Sequence, residues 1–108
     1  DGVHVELGFA PARDKHLYVG KGGYPTDAFN LCVGYNLYIY SCSQAHYGAR
    51  NDKTMATMDK YLKIVKHYPM HTHYTFDMQR EDGSSFQAVD VWVLCDTDYH
   101  IWRQTICG

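Results

Sequence analysis

The chain has 108 residues, 45% of them hydrophobic and 20% charged, with a formal net charge of −2. That is enough for one globular domain around one core. There is no basic patch of the kind a nucleic-acid partner requires. No stretch approaches the roughly 20 apolar residues of a membrane span, so membrane insertion is not expected either.

Ten tyrosines stand against four phenylalanines. A tyrosine offers a broad apolar face and a hydroxyl, which suits half-buried strands and wet recognition surfaces alike. The chain opens at Asp1 without Met, basic leader or apolar leader, and reads as a mature chain. Four cysteines in about 100 residues fit two disulfides in an oxidising compartment, hence a secreted protein. The absence of an Asn-x-Ser/Thr site agrees with bacterial export, through the periplasm to the outside. Of three possible connectivities, Cys32–Cys42 and Cys95–Cys107 are local and suit short covalent loops. With no C-x-x-C pair and no histidine at finger spacing, no metal is expected.

In chain order, Val3–Phe9 alternates Val3, Val5 and Leu7 against His4 and Glu6, the period of a half-buried strand. After a break at Pro11–Asp14, Lys15–Val19 reads as a second short strand, closed by a glycine-rich turn at Gly20–Gly23. Phe29–Ser43 is rich in Val, Tyr and Ile and reads as a hairpin. A turn near Asn36-Leu37 sets Cys32 and Cys42 opposite each other on one side of it. Asp52–Tyr68 is the one helix expected, capped by Asn51 or Asp52 and ended by Pro69. Met55, Met58, Leu62 and Val65 form its apolar stripe. Ile64 lies off that stripe with Tyr61 and Tyr68 at its border, a set able to meet a neighbouring subunit. Thr72–Gln79 and Phe86–Leu94 read as strands around the turn residues Asp82-Gly83. Cys95–Gly108 is a loop or terminal strand. The expected class is mainly β with one central helix, close to a small Greek-key barrel of the OB-fold type, in one domain spanning 1–108.

Little points to catalysis. His71 and His73 would share one strand face, but no further metal ligand is signposted. His73, Glu6 and Arg13 could be arranged as in a small secreted ribonuclease, yet no spacing forces it. No nucleophile or zinc-protease motif occurs, so no enzyme and no cofactor are expected. A cystatin-like inhibitor of a host enzyme is the alternative. Gln87-Ala88-Val89-Asp90-Val91 keeps the Gln and Val of that family's loop, but not its Gly.

The order of landmarks resembles the B subunits of pertussis-like AB-type bacterial toxins, including those of subtilase cytotoxin and typhoid toxin. The landmarks are Leu17-Tyr18-Val19-Gly20, Cys32, a hairpin to Cys42, a helix with Met58-Asp59-Lys60-Tyr61-Leu62, a strand at Tyr74–Gln79, and Cys107-Gly108. The resemblance implies an OB-fold subunit in a homopentameric ring. The ring would bind sialylated or related host-cell glycans, and the tail of an A subunit would dock near the helices. The family's Tyr- and Ser-containing pocket stretch has no counterpart in Leu7-Gly8-Phe9-Ala10-Pro11.

A sugar site needs an aromatic platform flanked by donors and acceptors, and a sialic acid adds a carboxylate. Phe9 and Arg13 supply these if the first strand lies beside His73, Tyr74 and Thr75, a pairing the resemblance implies. Tyr35, near the hairpin tip, is a further candidate. The plainer alternative puts Phe9 and Tyr74 in the core.

Overall fold

The structure, a computed structural model, describes residues 1–96, 99 and 104–107. Gly108, the last landmark of the resemblance, lies outside them. The chain is mainly β and divides into two compact units, Asp1–Tyr61 and Leu62–Gly108.

The first unit is organised by β2 (Thr26–Val33), whose residues alternate between a buried face at Thr26, Ala28 and Asn30 and a half-buried one. β1 (Gly2–Glu6) pairs antiparallel with it, Gly2 opposite Asn30 and Glu6 opposite Thr26. β4 (His46–Tyr47) pairs with Asp27 and Ala28, and β3 (Ile39–Cys42) pairs with Leu31–Val33. Opposed residues in a ladder share a face. His4, opposite Ala28, therefore shares that residue's face, though it is itself exposed. There its Nδ1 lies 3.0 Å from Thr26 Oγ1. Val3 and Val5 sit on the other face and remain about half exposed. The expected alternation of β1 does not become a pattern of burial, because Val3, His4, Val5 and Glu6 are all exposed.

Lys15–Tyr18 is a helical turn, α1, rather than the expected strand. Pro11 accepts from Asp14 N–H and Asp14 from Leu17 N–H, a run of tight turns that winds the chain before a strand can extend. After it, Gly20 and Gly48 meet backbone to backbone. A Cβ on Gly48 would overlap Thr26 Oγ1 and lie 2.5 Å from the Tyr18 carbonyl oxygen.

The expected long helix is three short ones, so the single central helix is corrected. They are α2 (Asp52–Met58), α3 (Lys60–His67) and α4 (Pro69–Thr72). Asn51 caps α2 by accepting from Thr54 N–H at 2.8 Å. The break falls at Asp59, whose backbone is extended (φ −69°, ψ 119°). Its buried carboxylate accepts from Tyr61 N–H at 2.8 Å and from the Asn30 side-chain amide on β2. A short acidic side chain that satisfies the first amides of the next helix competes with continuing the previous one. The break also rotates the expected stripe. Met55, Leu62 and Val65 are buried, while Met58 is 45% exposed.

In the second unit, β5 (Thr75–Gln79) and β6 (Ser85–Val89) form the expected hairpin, Gln79 opposite Ser85. Arg80 N–H donates to Ser84 O, and Gly83 takes the positive φ of 83° that the three-residue loop demands. β5 starts later than expected because Pro69–Thr72 is helical. His71 lies in that turn and His73 at its end, not together on a strand face. β7 (Val93–Cys95) pairs in parallel with β8 (Thr105–Cys107). Among the described residues the strands form three separate sheets and close no barrel.

All four cysteines stand as thiols, so neither expected bridge is made. Cys42 is opposite Leu31, and Cys32 is opposite Ser41. The first pair is thus one residue out of opposition, and its side chains leave the hairpin on opposite faces. A bulge between Cys32 and Val33 belongs to the same register. Cys95 and Cys107, in contrast, are direct partners across the parallel ladder.

Two outcomes follow. Gly48→Ala should destabilise the fold by about 1–3 kcal/mol or more, as overpacking against immobile backbone does. Gly8→Ala, with nothing within 4 Å of the added carbon, should leave the urea midpoint unchanged. Under mild oxidation, peptide mapping should recover a Cys95–Cys107 link first. A Cys32–Cys42 peptide in its place would require β3 to slip by one residue.

Candidate functional site

The β2–β3 hairpin carries the most unusual surface of the first unit. Gly34 N–H donates to Tyr38 O and Leu37 N–H to Gly34 O, closing a three-residue tip of Tyr35, Asn36 and Leu37. Asn36 Oδ1 accepts from Tyr38 N–H at 3.2 Å. Leu37 has φ 65°, a region that glycine or asparagine adopts at far lower cost. Tyr35 and Leu37 are almost wholly exposed, and Tyr38, Ile39 and Tyr40 more than half exposed. The Tyr38 and Tyr40 rings meet edge to face at 5.3 Å. Tyr40 lies against Gly34, where a Cβ would stand 2.7 Å from its ring. The absence of a side chain at Gly34 thus gives the ring its seat.

Of the other expected glycan residues, Phe9 is 82% exposed, and Arg13 is exposed in the turn before α1. Tyr74 and Thr75 are exposed in the second unit, with the Tyr74 ring stacked on Phe76 at 5.9 Å. Phe9 and Tyr74 are therefore not core residues. His73 Nδ1 lies 3.1 Å from Thr72 Oγ1 and 3.3 Å from Pro69 O. β1 pairs with β2 in the first unit and β5 with β6 in the second. Of the expected subunit-contact residues, Ile64 and Tyr68 are about half exposed, and Tyr61 is half-buried.

Tyr61 instead helps line a cleft of about 160 Å³ in the first unit, with Ser41, Ser43, His46, Asp59 and Lys60. His46 is 5% exposed. Its Nδ1 lies 3.1 Å from Arg50 Nη1, and the same nitrogen of Arg50 reaches Met58 Sδ at 3.4 Å. Nε2 of His46 is buried without a hydrogen-bond partner among the described residues. Burial, then the Arg50 charge, pushes the His46 pKa below its ordinary value, against the pull of Asp59. Burial likewise raises the Cys32 thiol, which hydrogen-bonds with Tyr61, so Cys32 is no ready nucleophile. No group of three or more His, Cys, Asp or Glu side chains is placed to hold a metal among the described residues.

Sequence reasoning passed over this cleft. The His46–Arg50 spacing and Asp59 inside a helical pattern were visible, but their partner Asn30 lies 29 residues from Asp59.

The lowered pKa of His46 fixes a sign. Well above pH 6.5, His46 is neutral both folded and unfolded and contributes no slope. As the pH falls through that value, the unfolded chain takes up the proton first, and stability declines until the folded histidine also titrates. An NMR titration should place the His46 midpoint below 6.5. A midpoint at or above that value would mean the ring is not held as described.

No protein-family model, no curated protein and no solved structure matches the chain.

Proposed function

We propose that the chain is a non-catalytic, glycan-binding domain that uses the tyrosine hairpin as its recognition surface. In this reading it is an OB-fold-type B subunit of a secreted pertussis-like bacterial toxin. Five copies form a ring that attaches to sialylated or related host-cell glycans and carries an A subunit.

The observation that supports it most is the hairpin tip. Tyr35 and Leu37 gain no burial there, and Leu37 sits in a backbone region that disfavours it. A local choice that costs stability and contributes no core contact is expected at functional sites. Around it, Tyr38 and Tyr40 present ring faces and hydroxyls, the combination that sugar C–H faces and hydroxyls require. The half-exposed valines of β1 and the exposed Ile64 and Tyr68 are apolar surfaces of the kind a ring buries.

A glycan array probed with the parent, Tyr35→Ala and Leu37→Gly tests this directly. Tyr35→Ala should weaken binding by about tenfold or more, roughly 1.4 kcal/mol, without lowering the melting temperature. Leu37→Gly should stabilise the chain by on the order of 1 kcal/mol, since glycine relaxes the turn, while weakening binding. Sedimentation should give five times 12.4 kDa. A monomer that binds no glycan would sink the reading.

A further inference from the structure

The cleft beneath the hairpin contains a hydrogen-bond donor that the fold prepares and does not use. A guanidinium can only donate, so the approach of Arg50 Nη1 to His46 Nδ1 requires a lone pair on that nitrogen. The ring is then neutral, and its one proton is on Nε2. That N–H belongs to a side chain only 5% exposed that lines the cleft, and it meets no acceptor among the described residues. Buried donors are nearly always paired, so one that is not marks a place where something from outside is received.

The charges in the cleft say what that is. Asp59 is the carboxylate lining it, and its oxygens already accept from the Asn30 amide and Tyr61 N–H. Lys60 also lines the cleft, is exposed, and makes no ion pair among the described residues. Arg50 adds a second cation behind His46. The unused capacity is thus donors and positive charge rather than acceptors.

We propose that this cleft binds a small oxyanion, a carboxylate, sulfate or phosphate group, through His46 Nε2–H and the Lys60 ammonium. The anion supplies the acceptor that Nε2–H lacks, and Lys60 supplies the opposite charge at the rim. The site is independent of the glycan reading, which rests on the hairpin tip.

The test is an NMR titration of the full chain above pH 7, with acetate, sulfate or inorganic phosphate replacing chloride at constant ionic strength. Saturable shifts are expected at the His46 ring and at the Ser43, His46 and Tyr61 amides. Preference for acetate identifies a planar carboxylate as the ligand, and preference for sulfate or phosphate a tetrahedral one. Lys60→Gln, at an exposed position that does not threaten folding, should weaken binding by about tenfold. Non-saturating shifts, shifts spread over Lys53 and Lys63, or an unchanged affinity in Lys60→Gln would overturn the proposal. Loss of anion binding with retained glycan binding would separate this site from the hairpin.

Discussion

The carboxylate of Asp59 is the joint on which the first unit turns. It is buried, and a buried carboxylate must be met by donors. One comes from β2 and the other from the first turn of α3. Meeting them forces the backbone of Asp59 out of the helix, which ends α2 and starts α3. Met58 swings outward toward Arg50, and Tyr61 comes to hydrogen-bond with Cys32. The cleft follows from these displacements: its wall is the helix break on one side and the end of β3 on the other. Replacing the carboxylate would remove an acceptor of the Asn30 amide and uncap α3 together, a combined loss on the order of 1–3 kcal/mol.

What could be read in the sequence was what local chemistry decides. The β5–β6 hairpin was legible because Asp82-Gly83 specifies its loop and because Phe76 and Met78 alternate cleanly. The β2–β3 hairpin was legible from its β-branched and aromatic content. Its register was not, since a slip of one residue turns on how Tyr35–Leu37 coil at the tip. The helix was overcalled for a related reason. Periodicity from Met55 to Val65 counts apolar residues and is blind to a single aspartate whose partner lies on a distant strand. In β1 the alternation was legible but its burial was not: Val3, His4, Val5 and Glu6 are all exposed, although His4 reaches Thr26.

The candidate surfaces divide the same way. Tyr35 could be named from its place near a turn. The tension at Leu37 could not, because φ is a property of the closed loop. His46 gave no signal beyond being one of seven histidines. Its significance comes from Arg50 on one ring nitrogen and nothing on the other. Phe9 and Tyr74, suited by type to a core, are surface residues, so aromatic character alone does not separate platform from interior in a chain this rich in tyrosine.

The interior of the first unit holds Ala28, Met55 and Ala56 beside Thr26, Asn30, His46 and Asp59. Exposing apolar surface raises the heat capacity on unfolding, whereas exposing polar surface lowers it. An interior mixed in this way partly cancels its own heat-capacity increment. The stability curve of that unit is therefore shallow, changing little between cold and warm surroundings, with a smaller calorimetric step than an all-aliphatic core of the same size would give.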